Sequence, residues 1–546
     1  MHNDAACRQS RQAVLIYRYK GIGGGNRMLQ RHQEDRRHVE TTVKIDDLVP
    51  EDHLVRKLEK AIDFSFIYDI VKDLYSPDHG RPSIDPVVLF KMYLIRYIFG
   101  IRSMRETVEQ IRTNVAYRWF LGLSLHDPVP HHSTPSKNYA RRFAGTDVFQ
   151  KIFSRILEEA FQHGLVDPSV VFVDSTHVKA SANKRKFNTE VAEVEAKAYQ
   201  EELEREIERD RIAHGKSPLP PETDKKKREV KVSKTDPESG MFVKNERERV
   251  FAYSYHTACD RHGWILQSYV TAANVHDSQA FFELFERVKQ EVKQRPKDVC
   301  IDAGYKTPAI AKYLLEQEIH PIWPYTRPKT KEGFFRKSEF AYDEHFDCYL
   351  CPNNQVLSYS TTNREGYREY KSNPSVCKTC PYLEKCTGSK NHTKVVTRHV
   401  WQDYYEEAEH LRYVPEHREL YERRKETIER NFADLKEKHG LRWTNYRGLE
   451  RNQMQAMLVC AAMNLKKLAN CLWRMGVSPL FHLCMSLFSL FHEEEQISKC
   501  NKMVVRQLSY NHFVNSLNRC TTMEFVFWIY VYLPINKKEI PISKTI

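Results

Sequence analysis

The stretch VVFVDSTHVKA, residues 170–180, decides how the rest of the chain is read. Its first four residues, Val170–Val173, form an unbroken apolar run of strand length, as expected for a strand covered on both faces. The run ends on Asp174. A second stretch, DVCIDAGYKT (298–307), ends its apolar run on Asp302 in the same way. A carboxylate placed directly after a buried strand sits at the sheet rim, where open α/β sheets carry their ligands. Far downstream the basic stretch YERRKETIERNFADLKEKHG (421–440) carries Glu429. At ~100° per residue, a helix here gathers Ile428, Phe432 and Leu435 into one apolar stripe. Lys425, Glu429, Ala433 and Lys436 form a second stripe beside it. Three carboxylates brought together can hold two magnesium ions, a centre able to cut and join phosphodiester bonds. Each acid alone also suits a plainer role, Asp174 and Asp302 as turn caps and Glu429 in i,i+4 pairs with lysines.

The surroundings predict a mixed α/β sheet flanked by helices. Phe251–Cys259 and Trp264–Val270 read as paired strands around a turn at Asp260–Gly263. A helix over 278–293 leads to the strand at 298–301, and another over 308–317 leads to His320–Trp323. Upstream, from about 45 to 165, the pattern is helical. Pro86 opens the run VVLFKMYLIRYIF, which Gly100 stops, and Ser103 with Glu106 forms a capping box for the next helix. Ser133-Thr134-Pro135 opens a helix rich in Lys137, Arg141 and Arg142, a face suited either to phosphates or to solvent. Between 188 and 250 lies a charged insertion. Within it, AEVEAKAYQEELEREIERDRIA reads as an exposed helix, followed by Pro218, Pro220, Pro221 and the basic run Lys225–Arg228.

At 546 residues the chain suggests roughly two to four domains of ~150 residues. Its formal net charge of +13 favours a polyanionic partner, nucleic acid first and an anionic membrane surface second. The N-terminus has no apolar core of signal-peptide type. The apolar stretches Pro479–Phe491 and Phe525–Leu533 fall short of the ~20 residues a membrane helix needs, so a cytoplasmic protein without membrane association is expected. In such a reducing compartment thiols bind metal or stay free. Cys348-x-x-Cys351 and Cys377-x-x-Cys380 have the spacing of a four-thiolate structural zinc site. Cys386 is an alternative ligand there, and a metal-free insertion or a redox site are the other readings. Residues 1–27, basic and glycine-rich, read as a disordered leader, with Met28 an alternative start. Residues 476–546 form a tail that the pattern leaves undecided.

These segments resemble the DDE transposases of bacterial insertion sequences over roughly residues 30–475. FVDSTHVKA resembles the family's first block, VTAANVHDSQAF its hairpin exit into a helix, and IDAGYKTPAIAKYL its second block. IERNFADLK resembles the third, in which Glu429 is followed after six intervening residues by Lys436. The family's Arg place is taken by Lys425 and its Tyr place by Glu422, with Tyr421 and Arg424 each one position early. The region RPSIDPVVLFKMYLIRYIFGIRSMRETVEQIRTNVAYRWFLGL resembles the helical N-terminal domain of one such group.

The resemblance implies an RNase H-like mixed sheet flanked by helices, an all-helical N-terminal domain and a small Cys-rich insertion. The corresponding boundaries are 28–165 for a helical DNA-binding domain and 166–330 for the first part of the catalytic domain. The Cys-rich segment covers 331–400, and 401–475 completes the catalytic domain with the Glu429 helix. It implies that Asp174, Asp302 and Glu429 bind two magnesium or manganese ions. Lys425, Lys436, Arg430, Arg141 and Arg142 are the expected DNA contacts. The partners implied are double-stranded DNA, as terminal inverted repeats and target, and a second copy of the chain on that DNA. A nuclease of the same fold without transposition, or a zinc-ribbon DNA-binding protein, are the alternative functions.

Overall fold

The computed structural model describes residues 42–76, 83–193, 199–220, 227–243, 249–328 and 330–477. The leader at 1–27, most of the tail beyond 476 and the side chains of the basic run Lys225–Arg228 lie outside these residues. Residues 42–48 belong to a small separate unit, in which Ile45–Leu48 is a 3-10 turn. Everything that follows concerns the second unit.

The helical section begins with short helices that meet around Pro86–Ile98. Asp85 caps that helix, its Oδ1 accepting from the Val87 amide at 2.7 Å, and Pro86 occupies the first turn as expected. Leu89–Ile98 are all buried, including two basic residues. Lys91 is paired with Glu59 at 2.7 Å, and Arg96 donates to the Arg102 carbonyl at 2.8 Å. Buried charges are tolerated only with such partners. Ser103 caps the helix Met104–Thr113 by accepting from the Glu106 amide at 3.1 Å. Ser133 does not cap its helix. Its hydroxyl pairs instead with Nδ1 of His131 at 2.8 Å, and Thr134–Asn138 passes into a π-helical turn, Tyr139–Phe143.

The main sheet has strands β1 (Val170–Lys179), β4 (Gly240–Val243), β5 (Arg249–Asp260), β6 (Ile265–Ala272), β7 (Asp298–Ile301) and β8 (His320–Ile322), with β2 (Phe187–Glu193) and β3 (Lys227–Ser233) forming a separate hairpin. Across the main sheet the order is β6-β5-β1-β7-β8, and β4 pairs with the start of β5. β5 is antiparallel to both β1 and β6, while β7 and β8 run parallel to β1. Among the described residues β6 pairs only with β5, yet its outer edge is not bare. The long helix Leu449–Val477 lies along it. Asn464 accepts from the Ile265 amide at 3.1 Å and donates to the Ile265 carbonyl at 2.8 Å. Gln453 does the same for Val270 and Ser268, at 2.9 and 2.8 Å. Two side-chain amides thus continue the backbone ladder and satisfy an edge that would otherwise pair with another chain. The same long helix packs against Leu54–Ala61, Pro86–Ile98 and Val148–Gln162, so one apolar core runs from the helices into the sheet.

The charged insertion differs from its sequence reading. Phe187–Glu193 pairs with Lys227–Ser233 as strand, so the helix starts only at Gln200 and ends at Ala213. It is no solvated spacer, because Leu203, Ile207, Asp210 and Arg211 share one buried face. That face meets a second, antiparallel sheet built from β9 (Ala341–Asp343), β10 (Cys348–Leu350), β11 (Val356–Thr362), β12 (Tyr367–Ser372) and β13 (Val395–His399). Arg368 reaches Asp210 at 2.6 Å, and Arg211 donates to the Thr362 carbonyl at 2.9 Å. Phe340, Tyr349, Leu357, Tyr370 and Val396 make this sheet's own small core.

Candidate active site

Strand pairing brings the two aspartates together. β1 and β7 are parallel neighbours in the register Val173↔Ile301, so Asp174 and Asp302 come side by side where β7 ends. β1 itself does not end at Asp174, as its sequence suggested, but runs on to Lys179 because β5 continues to pair with it. The runs before them, Val171–Val173 and Val299–Ile301, are fully buried, which fixes both backbones. Asp174 accepts from the Ser175 amide at 2.7 Å through Oδ1 and from Nη2 of Arg424 at 2.6 Å through Oδ2. Burial pushes its carboxyl up to about 6, against the pull of Arg424 and that amide, and the neighbouring charges of Asp302 and Asp277 push the same way.

Glu429 lies in the first turn of the helix Ile428–Glu437, on its exposed side. Ile428, Phe432 and Leu435 are buried, as the apolar stripe requires. The Tyr421 phenol lies within electrostatic range of all three acids. Burial raises it first, and Asp302, Asp174 and Glu429 all raise it further, against Arg424. One ring therefore feels all three carboxylates.

The continuous helix expected over 421–440 is broken. Pro415–Glu422 is helical, Arg423–Lys425 is a 3-10 turn, and Thr427 leaves the helical region at φ −109 and ψ −95 before Ile428–Glu437 begins. The break has a physical cause. Arg424 is buried and turned to Asp174, while the Thr427 hydroxyl bonds the Arg423 carbonyl at 2.9 Å. Lys425 consequently sits in the turn, exposed, and not on the Glu429 helix face. The arginine beside the acids is Arg424, with the Tyr421 ring 5.4 Å from its guanidinium. The extra residue between Arg424 and Glu429 is absorbed by the irregular turn. Lys436 is half-buried, and its charge helps burial lower the His177 imidazole on β1. Arg430 is exposed and pairs with Asp434 at 3.5 Å. Arg141 is exposed, while Arg142 donates to Asn138 at 2.6 Å and lies over the Tyr75 ring.

A fourth carboxylate, Asp277, escaped the sequence reading. It begins the helix Asp277–Glu291 and accepts from the Ser175 hydroxyl at 2.9 Å, with buried His256 at 3.6 Å. Gly304, two residues after Asp302, lies so close that an added Cβ would sit 3.0 Å from Asp277 Oδ2. The signal available was that glycine, since a backbone that must come near another group favours it.

The donor set suits divalent cations. Carboxylate oxygens are the preferred ligands of hard ions, and Asp174 is held in surroundings that disfavour its charge unless a cation is near. Arg424 meets this need with one nitrogen only, its buried Nη1 having no hydrogen-bond partner among the described residues.

The cysteines group differently from the two CxxC pairs. Cys351, Cys377, Cys380 and Cys386 line one cavity of about 50 Å³. Cys348 is not among them. It lies in β10, whereas Cys351 follows the end of that strand, in the turn that leads to β11. Its charged neighbours are Asp343 and Asp347.

Among the described residues no helix is long and apolar enough to cross a membrane. Residues 43–141 match the family model described as Transposase domain (DUF772), and residues 350–469, which include Glu429, match that described as Transposase DDE domain. No curated protein and no solved structure matches the chain. A transposase domain at 43–141 followed on the same chain by a transposase DDE domain at 350–469 supports a DDE transposase of insertion-sequence type.

Proposed function

We propose that Asp174, Asp302 and Glu429 are the metal-binding acids of this transposase, and that the main sheet is an RNase H-like catalytic domain. The carrying observation is the parallel register that sets Asp174 beside Asp302, with Tyr421 sensing both and Glu429. The strand order β6-β5-β1-β7-β8, antiparallel on one side of β1 and parallel on the other, supports the fold reading.

DDE transposases work with divalent ions. Two magnesium or manganese ions at these acids would activate the attacking water, or later a 3′-hydroxyl, and stabilise the leaving oxygen. The chain's own part is positioning. Asp174 and Asp302 are rigid because their strands are buried, and Arg424 orients Asp174 and offsets part of the burial that disfavours its charge. Lys436 and Arg430, on the Glu429 helix, and Lys425, in the turn before it, supply positive charge for phosphates near the scissile bond. Arg141 and Arg142, in the helical section 28–165, supply it for the flanking duplex. The substrates are the terminal inverted repeats and a target duplex, engaged by two copies of the chain in the cytoplasm. Cys351, Cys377, Cys380 and Cys386 hold a structural zinc ion within the insertion 331–400, a four-thiolate set that their shared cavity supports.

The test supplies DNA bearing the flanking inverted repeats, with magnesium, and follows end cleavage and joining. Asp174→Asn, Asp302→Asn and Glu429→Gln are each expected to retain DNA binding and to lose cleavage. Normal cleavage by any one variant removes that residue from the site. Cleavage without joining would identify a nuclease instead.

A further inference from the structure

Asp298, His320 and His417 come from three elements and meet away from the carboxylate rim. Asp298 opens β7, at the opposite end from Asp302, and His320 opens β8 as its register partner. His417 lies on the helix Pro415–Glu422, which also carries Tyr421 and leads to Arg424. One ligand atom from each of the three lies within 4.8 Å of the other two. Asp298 Oδ1 is 3.1 Å from His320 Nδ1 and 3.4 Å from His417 Nε2. Asp298 and His417 are buried, at 5% and 7% exposure.

The hydrogen bonding of His417 decides the chemistry. Its Nδ1 is 3.0 Å from the Leu411 carbonyl, which can only accept, so Nδ1 carries a proton. In the neutral ring Nε2 then directs a lone pair at Asp298 Oδ1, which is itself an acceptor. Two buried lone pairs facing one another need positive charge between them, supplied by a proton or by a bound cation. A histidine that donates one ring nitrogen to a carbonyl and turns the other toward a carboxylate has the arrangement of a metal ligand. Two imidazoles with one carboxylate suit a borderline divalent ion such as zinc, whereas magnesium prefers oxygen donors alone.

We propose that Asp298, His320 and His417 bind a zinc-class divalent cation, which ties the helix Pro415–Glu422 to the starts of β7 and β8. This site is independent of the carboxylate centre and of the cysteines. Its role is to brace the segment that presents Tyr421 and Arg424 against the strand that presents Asp302.

The test uses the untagged full chain, stripped of metal, held in excess magnesium and titrated with cobalt(II). X-ray absorption on the cobalt-loaded unmutated protein should show a population of cobalt bound by nitrogen and oxygen with imidazole scattering, distinct from any thiolate-bound cobalt. His417→Gln and His320→Gln should each lose that one equivalent while keeping any thiolate-bound cobalt. Cobalt bound by sulfur alone in the unmutated chain overturns the proposal, and this reading needs no variant to fold. An imidazole-bound equivalent that survives both substitutions overturns it as well.

Discussion

Arg424 and Asp174, far apart in sequence, meet at 2.6 Å through Nη2 and Oδ2 at the rim of the main sheet. The pair is buried on the arginine side, and it opposes a burial effect that already lifts Asp174 to about 6. An opposite charge at this range lowers a carboxyl by roughly 1–3 units. Arg424→Gln should therefore lift Asp174 further and weaken magnesium binding at neutral pH. Cleavage at pH 7 is expected to fall about ten-fold or more, with partial recovery as pH rises, by the same reasoning. The pH–rate profile checks it, and an acid limb that does not move would free Arg424 from this role.

Protonation of Asp174 also sets a stability slope. Its folded value, about 6, lies above the ordinary 3.8, so between these values the folded chain binds the extra proton. Stability from this group is fully present below about 4 and is lost as pH rises through about 6, to an extent of at most about 3 kcal/mol. Asp260, which burial pushes up to about 7, adds a slope of the same sign. The diagnostic part is what magnesium removes and what Asp174→Asn lacks. Urea unfolding across pH 4–8, with and without magnesium, measures both. A slope untouched by magnesium would detach Asp174 from metal binding.

Much of the sheet was legible because buried parallel strands have a distinctive composition. Val170–Val173 and Val299–Ile301 are the buried runs that the pattern required, but the end of an apolar run is not the end of a strand, since β1 continues past Asp174 to Lys179 on its pairing with β5. The Glu429 helix was legible only from Ile428 onward. Helical arithmetic assumes an unbroken helix, and nothing local to Arg423–Thr427 announces that Arg424 will turn inward to a partner on β1. The same limit hid Asp277, whose meaning comes from Ser175 and Gly304, both distant in sequence. Cys348 and Cys351 share a CxxC spacing, but the spacing does not reveal that Cys348 lies within β10 and Cys351 beyond its end, on a cavity shared with Cys377, Cys380 and Cys386.

Gly100 is required twice over. Its φ is +66, and a Cβ there would stand 2.8 Å from the Lys438 carbonyl at the end of the Glu429 helix. Gly122 has a similar φ of +71, and a Cβ there would meet nothing within 4 Å among the described residues. Gly122→Ala should cost only the backbone strain, about 1 kcal/mol. Gly100→Ala adds a collision with backbone, and a loss of about 2–4 kcal/mol is expected. Chemical denaturation of the two variants tests the contrast, and equal losses would remove the close approach as the reason for Gly100.

Asn464 is fully buried and serves both the amide and the carbonyl of Ile265. Asn464→Ala strands two backbone groups of the β6 edge, at about 1–3 kcal/mol each. The expected result is a loss of about 2–4 kcal/mol in urea together with a tendency to self-associate, since an uncapped edge is a pairing template. Asn464→Asp should be nearly as harmful, because a carboxylate cannot donate to the Ile265 carbonyl. A variant of unchanged stability would mean that the long helix holds the edge by apolar packing alone.

The cysteine insertion separates two ligand sets by one residue. If the shared cavity marks the zinc site, Cys351→Ser, Cys377→Ser, Cys380→Ser and Cys386→Ser should each reduce bound zinc, with local unfolding of the second sheet. Cys348→Ser should leave zinc content unchanged, because that thiol lies in β10 near Asp343 and Asp347. Any cost there is limited to a small packing change, about 1 kcal/mol or less. Metal analysis of the five variants reads the difference directly. Zinc lost with Cys348 and kept with Cys386 would restore the two CxxC pairs as the ligand set.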